Sequence, residues 1–198
     1  MKLNLPCKIT ISRIILIPLV IFFYLANFIP YGIGKFVAAG LFMLAAYTDH
    51  LDGYLARKNN QVTNLGKFLD PIADKLLVYA ALILVCVDGT ITHQFAFAPI
   101  VMFVMIARDF IVDALRQIGA ANNIIISADM FGKVKTVLQD IALSILLVFV
   151  ALQCVGGVPV LCLDIFKWIG HITIAAAAIV SVLSGLNYCI KNREVFKG

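Results

Sequence analysis

Residues 49–75 read DHLDGYLARKNNQVTNLGKFLDPIADK, placing four aspartates inside a chain that otherwise looks made for lipid. Of its 198 residues 62% are hydrophobic and only 14% charged, and the mean hydropathy is +1.00. A soluble domain carries about 25% charged residues, so this composition describes a polytopic membrane protein. The length accommodates about six spans of roughly 20 residues, and no polar stretch is long enough for a separate soluble unit. A single membrane domain over 1–198 is expected. The first apolar run, 9–29, has full spanning length, unlike the short apolar core of a cleaved signal peptide, and is read as a retained helix. Cys7, Cys86, Cys154, Cys162 and Cys189 show neither a CxxC pair nor metal-ligand spacing and are read as packing residues.

Apolar runs and their polar punctuation predict an all-α protein with six transmembrane helices, at 9–29, 34–57, 65–87, 95–118, 130–152 and 165–190. Turn residues mark the connections at 30–34, 88–93 and 156–159. The basic residues then separate by side. Lys2, Lys8 and Arg13 open the first helix; Arg57, Lys58, Lys67 and Lys75 surround the second connection; Arg108, Arg116, Lys133 and Lys135 surround the fourth; Lys191, Arg193 and Lys197 end the chain. These are 14 of the 16 lysines and arginines, and only Lys35 and Lys167 fall on the other side. The positive-inside rule therefore puts both termini and the aspartate stretch at the cytoplasmic face. The net charge of +5 follows from this bias and fits anionic lipid or substrate, with no nucleic-acid module in view.

Asp49 and Asp52 stand three apart near the end of the second helix, and Asp70 and Asp74 stand four apart in the third, so each pair shares a helical face. A short connection folding one helix beside the other brings four carboxylates together at the membrane surface. Unpaired, they would be expensive there, and their mutual repulsion would force some to stay protonated. Two divalent cations would neutralise them, and an all-oxygen donor set suits Mg2+, Mn2+ or Ca2+ better than zinc or copper. Two metals about 3.5–4 Å apart are the usual arrangement for in-line displacement at phosphorus. Gly53, Ala56 and Gly66 clear the faces beside the carboxylates for a headgroup. Arg57, four residues after Gly53, reaches the same space and can pair with phosphate oxygens. Lys58 reads as a topology anchor, and Pro71 as a tolerated bend between Asp70 and Asp74, because the apolar run continues beyond it.

Written as Asp49-x2-Asp52-Gly53-x2-Ala56-Arg57-x8-Gly66-x3-Asp70-x3-Asp74, the stretch resembles the complete signature of the CDP-alcohol phosphotransferase family. The resemblance implies six transmembrane helices, a homodimer, and displacement of CMP from a CDP-linked donor by an alcohol at a two-metal site with Mg2+ or Mn2+. It implies that Asp49 and Asp70 bridge the metals, that Asp52 completes the first site and Asp74 the second, and that Asp74 is the base taking the acceptor's hydroxyl proton. It also implies that Gly53, Ala56, Arg57 and Thr63 line the cytidine diphosphate, with Gly66 beside it.

Around the fourth connection, Arg108 and Arg116 are eight apart and nearly on one face, and Lys133 with Lys135 opens the fifth helix. Lys133 or Lys135 alone would pass as an anchor, but Arg108 lies two turns inside its span. An arginine there points to a phosphate pocket, because the guanidinium fork matches phosphate oxygens. An acceptor bearing phosphate is preferred over serine, choline or ethanolamine. LPCKITISR (5–13), IARDFIVDALR (106–116), FGKVKTVLQ (131–139) and SGLNY (184–188) resemble segments of bacterial phosphatidylglycerophosphate synthases. That resemblance implies a bacterial plasma-membrane enzyme with CDP-diacylglycerol as donor and sn-glycerol 3-phosphate as acceptor. It makes Arg108, Arg116, Lys133 and Lys135 the phosphate holders and places Thr10 near the donor nucleotide. Inositol phosphate and phosphatidylglycerol are the alternative acceptors. Three positions depart from the pattern: Cys7 replaces asparagine, Asp109 replaces glutamate, and Asp113 stands where a small or hydroxyl residue is common. Asp113, one turn from Asp109 and close to Arg116, is expected to neutralise part of the pocket.

His50, His93 and His171 form no catalytic set and read as structural. A cation carrier is the rival reading, since intramembrane carboxylates mark ion paths, but a carrier would place them along a span or at its midplane. A membrane scaffold leaves four uncompensated carboxylates unexplained.

Overall fold

The computed structural model describes residues 5–26, 28–29, 32–58, 64–92, 96–122, 130–155 and 157–192; the side chains of 5–9, 49–58, 64–68, 70, 90, 92 and 121 lie outside that description. The described chain is helical throughout: α1 (Leu5–Leu25), α2 (Ile33–Lys58), α3 (Asn64–Val87), the single turn α4 (Gly89–Thr92), α5 (Ala98–Ala121), α6 (Met130–Val155) and α7 (Val160–Lys191). All six long helices fall where the apolar runs predict them, with shifted ends. α1 begins and ends a turn earlier than 9–29, because Pro6 fits a first helical turn and the chain reverses after Leu25, where the Ile29 amide donates to the Ala26 carbonyl at 3.1 Å. α7 starts at Val160 rather than 165, directly after Pro159. Asp164, just before the predicted start, and Lys167, just inside it, pair along the helix surface at 2.9 Å.

Side-chain pairs fix how the helices run. At one end of the bundle Lys35 at the start of α2 and Tyr24 near the end of α1 both donate to Asp88, just beyond α3, at 2.9 and 3.0 Å. At the other end Lys75 of α3 pairs with Asp113 of α5, Lys135 of α6 with Asp109 of α5, and Arg108 of α5 with Ser184 of α7. Successive long helices therefore alternate in direction, and the N-terminal halves of α3 and α6 lie beside the middle of α5, which in turn meets the C-terminal part of α7. Lys35 lies at the end opposite the basic cluster, as the charge pattern requires.

The apolar core is built from Val20, Ala39, Phe42, Ala81, Leu143, Leu147 and Ala177, with α6 buried along much of its length. Close approach of helices uses small residues. A Cβ at Gly34 would stand 2.5 Å from the carbonyl oxygen of Phe23, and one at Gly170 would stand 2.6 Å from Leu146 Cδ2. The outer surface is more apolar than that of a water-soluble protein, and a few polar side chains are buried. Phe22, Phe103, Phe110, Ile172 and Ile190 face outward, while Thr10, Arg13, Lys135, Gln139, Ser181 and Ser184 are buried. So much exposed apolar surface is tolerable in lipid and a liability in water. Among the described residues α6 and α7 are long and apolar enough to cross a membrane.

Candidate active site

The helix α3 continues unbroken from Asn64 to Val87 with Pro71 inside it. A proline within a helix removes one backbone donor, yet the register survives, so Asp70 and Asp74 stay one turn apart on α3. Asp49 and Asp52 likewise fall within the helical run of α2. The backbone thus supplies the two spaced pairs that the sequence predicts. The side chains of Asp49, Asp52, Gly53, Ala56, Arg57, Gly66 and Asp70 lie outside the described residues, as does Thr63 altogether. Among the described residues no group of three metal-ligating side chains occurs.

Asp74 faces a cavity of about 270 Å3 at the end of the bundle where α3, α5 and α6 meet. Lys75 and Tyr79 of α3, Arg108, Asp109, Asp113 and Arg116 of α5, and Lys133, Lys135, Gln139 and Asp140 of α6 complete its polar wall. All four cations predicted to hold an acceptor phosphate line this one space, together with the predicted base. Helical spacing explains the convergence. Arg108, Val112 and Arg116 repeat at four residues along α5, as do Lys135 and Gln139 along α6.

Asp109 organises the floor of the cavity. Lys135, only 2% exposed, donates to both its carboxylate oxygens at 2.8 and 2.7 Å, and Arg108 Nη1 donates to Oδ1 at 3.0 Å. Arg108 Nη2 also donates to Ser184 Oγ at 2.6 Å, which fixes the guanidinium plane against α7. Gly185 makes that route possible, because a Cβ there would stand 2.8 Å from Arg108 Cγ. Arg116 donates through Nε to the Tyr188 hydroxyl at 2.9 Å and lies over that ring, 5.5 Å from its centroid.

The two departures in α5 therefore differ in role. Asp109 holds Lys135 and Arg108 in place. Asp113 neutralises part of the pocket as expected, but its partner is Lys75 on α3 rather than Arg116. Arg116 and Lys133 have no carboxylate partner among the described residues. Among the described residues they are the cavity's cations that no carboxylate neutralises, Arg116 bonding only the neutral Tyr188. Thr10 is buried in α1 and takes no part in the cavity wall, and Arg13, read from the sequence only as a charge opening the first helix, is equally buried. Lys75, Tyr79 and Gln139 are cavity residues that sequence reasoning left unassigned. Gln139 could have been found from its position four residues after Lys135, and Tyr79 from its position four after Lys75.

A shallow apolar groove of about 340 Å3 runs between α2 and α6, lined by Met43, Ala46, Tyr47, Val137, Ile141, Ser144 and Ile145. Asp140 stands in the walls of both the groove and the polar cavity, which are thus neighbours.

Residues 3–183 match the profile of the CDP-alcohol phosphatidyltransferase family. The chain belongs to that family. Several bacterial relatives are each named CDP-diacylglycerol–glycerol-3-phosphate 3-phosphatidyltransferase. The Bacillus subtilis protein is 41% identical over 206 residues, covering 98% of this chain and 97% of the relative. The Rickettsia felis protein is 37% identical over 93% of both chains. The Escherichia coli protein is 42% identical over 74% of this chain and 78% of its own length. Set on the structure, the phosphatidyltransferase match takes in all six long helices, from α1 through most of α7, and so the whole described cavity wall.

Proposed function

We propose that the chain transfers a phosphatidyl group from CDP-diacylglycerol to sn-glycerol 3-phosphate, releasing CMP and forming phosphatidylglycerophosphate. One observation carries this reading: the Asp74 carboxylate shares a small polar cavity with two cations, Arg116 and Lys133, that lack a carboxylate partner among the described residues. A phosphate dianion supplies the anionic partner these two cations lack, and a hydroxyl on the same molecule can then lie near Asp74. Choline, ethanolamine and serine lack the phosphate this wall is built for. The relatives' shared name states the same pair of substrates. The apolar groove beside Asp140 gives the acyl chains of a lipid donor a course toward the cavity.

The residues act as follows. Arg116 and Lys133 bind the acceptor's phosphate, and Arg108 and Lys135, pinned by Asp109, set the positive potential behind it. Asp74 receives the proton of the attacking hydroxyl as that oxygen forms its bond to the β-phosphorus of the donor and the bond to CMP breaks. Gly53, Ala56, Arg57, Thr63 and Gly66, with Thr10, are the proposed surroundings of the cytidine diphosphate. The donor set fits divalent cations: two helical segments carry Asp49, Asp52, Asp70 and Asp74 at one-turn spacings, and all the ligands are hard carboxylate oxygens. Two Mg2+ or Mn2+ ions held there would neutralise the diphosphate and the charge growing on the departing nucleotide.

The six long helices are proposed to span a bacterial plasma membrane, with the cavity and both termini cytoplasmic and the protein working as a homodimer. The basic residues gathered at the cavity's end of the bundle support that orientation. Purified protein in detergent with Mg2+ or Mn2+ and CDP-diacylglycerol, offered glycerol 3-phosphate, inositol phosphate, phosphatidylglycerol and serine in parallel, tests the assignment. CMP release with glycerol 3-phosphate alone is expected. Release driven by another acceptor reassigns the substrate, and metal uptake into sealed vesicles without CMP release favours a cation carrier.

A further inference from the structure

The wall of the polar cavity contains one uncharged amide, Gln139, on α6 one turn beyond Lys135. Gln139 is 1% exposed, and its Nε2 donor has no hydrogen-bond partner among the described residues. A buried amide donor left unpaired costs free energy, so a site that retains one is suited to a ligand atom that completes it. The surrounding charges indicate which atom. Lys135 and Arg108 are already held by Asp109, so these two cations have an anionic partner before any ligand enters. The cations that lack a carboxylate partner among the described residues and suit phosphate are Arg116 and Lys133, and the proposed proton acceptor is Asp74. A neutral amide contributes little to neutralising a dianion, whereas a hydroxyl can accept from its nitrogen or donate to its oxygen.

Resting on the function proposed above, we propose that Gln139 is a specificity residue that hydrogen-bonds the acceptor hydroxyl that does not react. In glycerol 3-phosphate that group is the C2 hydroxyl, between the phosphate and the attacking C1 hydroxyl. Gln139 thereby selects an acceptor carrying a spare hydroxyl beside the nucleophile over one with a bare methylene there.

The test compares glycerol 3-phosphate with 3-hydroxypropyl phosphate, which keeps the phosphate and the nucleophile but lacks the C2 hydroxyl. Unchanged protein should favour glycerol 3-phosphate by about 10- to 100-fold in kcat/KM, the range for one hydrogen bond in a buried site. Gln139→Leu should lose that factor with glycerol 3-phosphate, mainly through KM, and handle 3-hydroxypropyl phosphate as the unchanged protein does. Gln139→Met, unbranched like glutamine, should give the same pattern and serves if the leucine variant does not fold. Equal losses with both acceptors, or no preference in the unchanged protein, overturn the assignment. No CMP release from the unchanged protein with glycerol 3-phosphate overturns the underlying function as well.

Discussion

Gly185→Ala tests whether the position of Arg108, and not merely its charge, matters. The added Cβ would stand 2.8 Å from Arg108 Cγ and 3.7 Å from Nε, against an ordinary contact distance of 3.4 Å or more. Arg108 must therefore yield by at least about 0.6 Å at Cγ, the difference between those distances. The displacement grows toward the guanidinium, where the 2.6 Å bond to Ser184 and the 3.0 Å bond to Asp109 depend on it. Misplacing a positioning group by about 1 Å costs about 100-fold, so kcat/KM for glycerol 3-phosphate should fall by about 10- to 100-fold. The KM for CDP-diacylglycerol should hold. The assay is CMP release in detergent with each substrate varied in turn, on Gly185→Ala, Arg108→Ala and the double variant. If Gly185 matters only by giving Arg108 room, the double variant is no worse than Arg108→Ala alone. Full activity in Gly185→Ala, or additive losses in the double variant, would refute this reasoning and make Gly185 a packing residue of α7.

Three further outcomes are expected. Asp109→Asn leaves Lys135 and Arg108 buried without their counter-charge and should cost about 3–5 kcal/mol, seen as a lowered thermal midpoint in detergent, while Asp109→Glu retains most of it. Asp113→Ser releases Lys75 and removes a negative charge from the cavity wall; that pair is partly exposed, so stability should change by less than about 1 kcal/mol, whereas the KM for glycerol 3-phosphate should fall. Gly34→Ala forces a Cβ against the Phe23 carbonyl, a backbone atom that cannot rotate away, and should destabilise the protein by about 1–3 kcal/mol without altering the KM for either substrate in the folded fraction.

Most of the helical plan was legible because apolar runs of spanning length separated by turn residues leave little choice of element. The ends were less so. Asp164 and Lys167 flank the predicted start of the last helix, but three residues apart on a helix they satisfy each other, so the helix continues through them. The pairing of α2 with α3 could be inferred from the aspartate spacing. The ion pair that fastens their opposite ends, Lys35 with Asp88, spans 53 residues and has no local signature. At the site, Arg108, Arg116, Lys133 and Lys135 were recognisable as charges too deep or too clustered to be anchors alone. What each charge pairs with depends on three helices at once. Asp113 lies three residues from Arg116, yet it is bound by Lys75 from α3. Gln139 carries no charge to draw attention in an apolar run; its four-residue spacing from Lys135 is the one sequence signal, and its burial without a bonded donor shows only in the folded chain.

Asp74, the proposed proton acceptor, lies in the same cavity as the cations proposed to bind the acceptor's phosphate. The most direct test of that assignment is CMP release from CDP-diacylglycerol and glycerol 3-phosphate by Asp74→Asn, measured beside binding of the donor alone. Losing a positioned base costs about 100- to 10,000-fold, so turnover should fall at least that far while the variant still inserts, folds and binds CDP-diacylglycerol. Turnover at the rate of the unchanged protein would contradict the assignment of Asp74 and, with it, the cavity as the place of reaction.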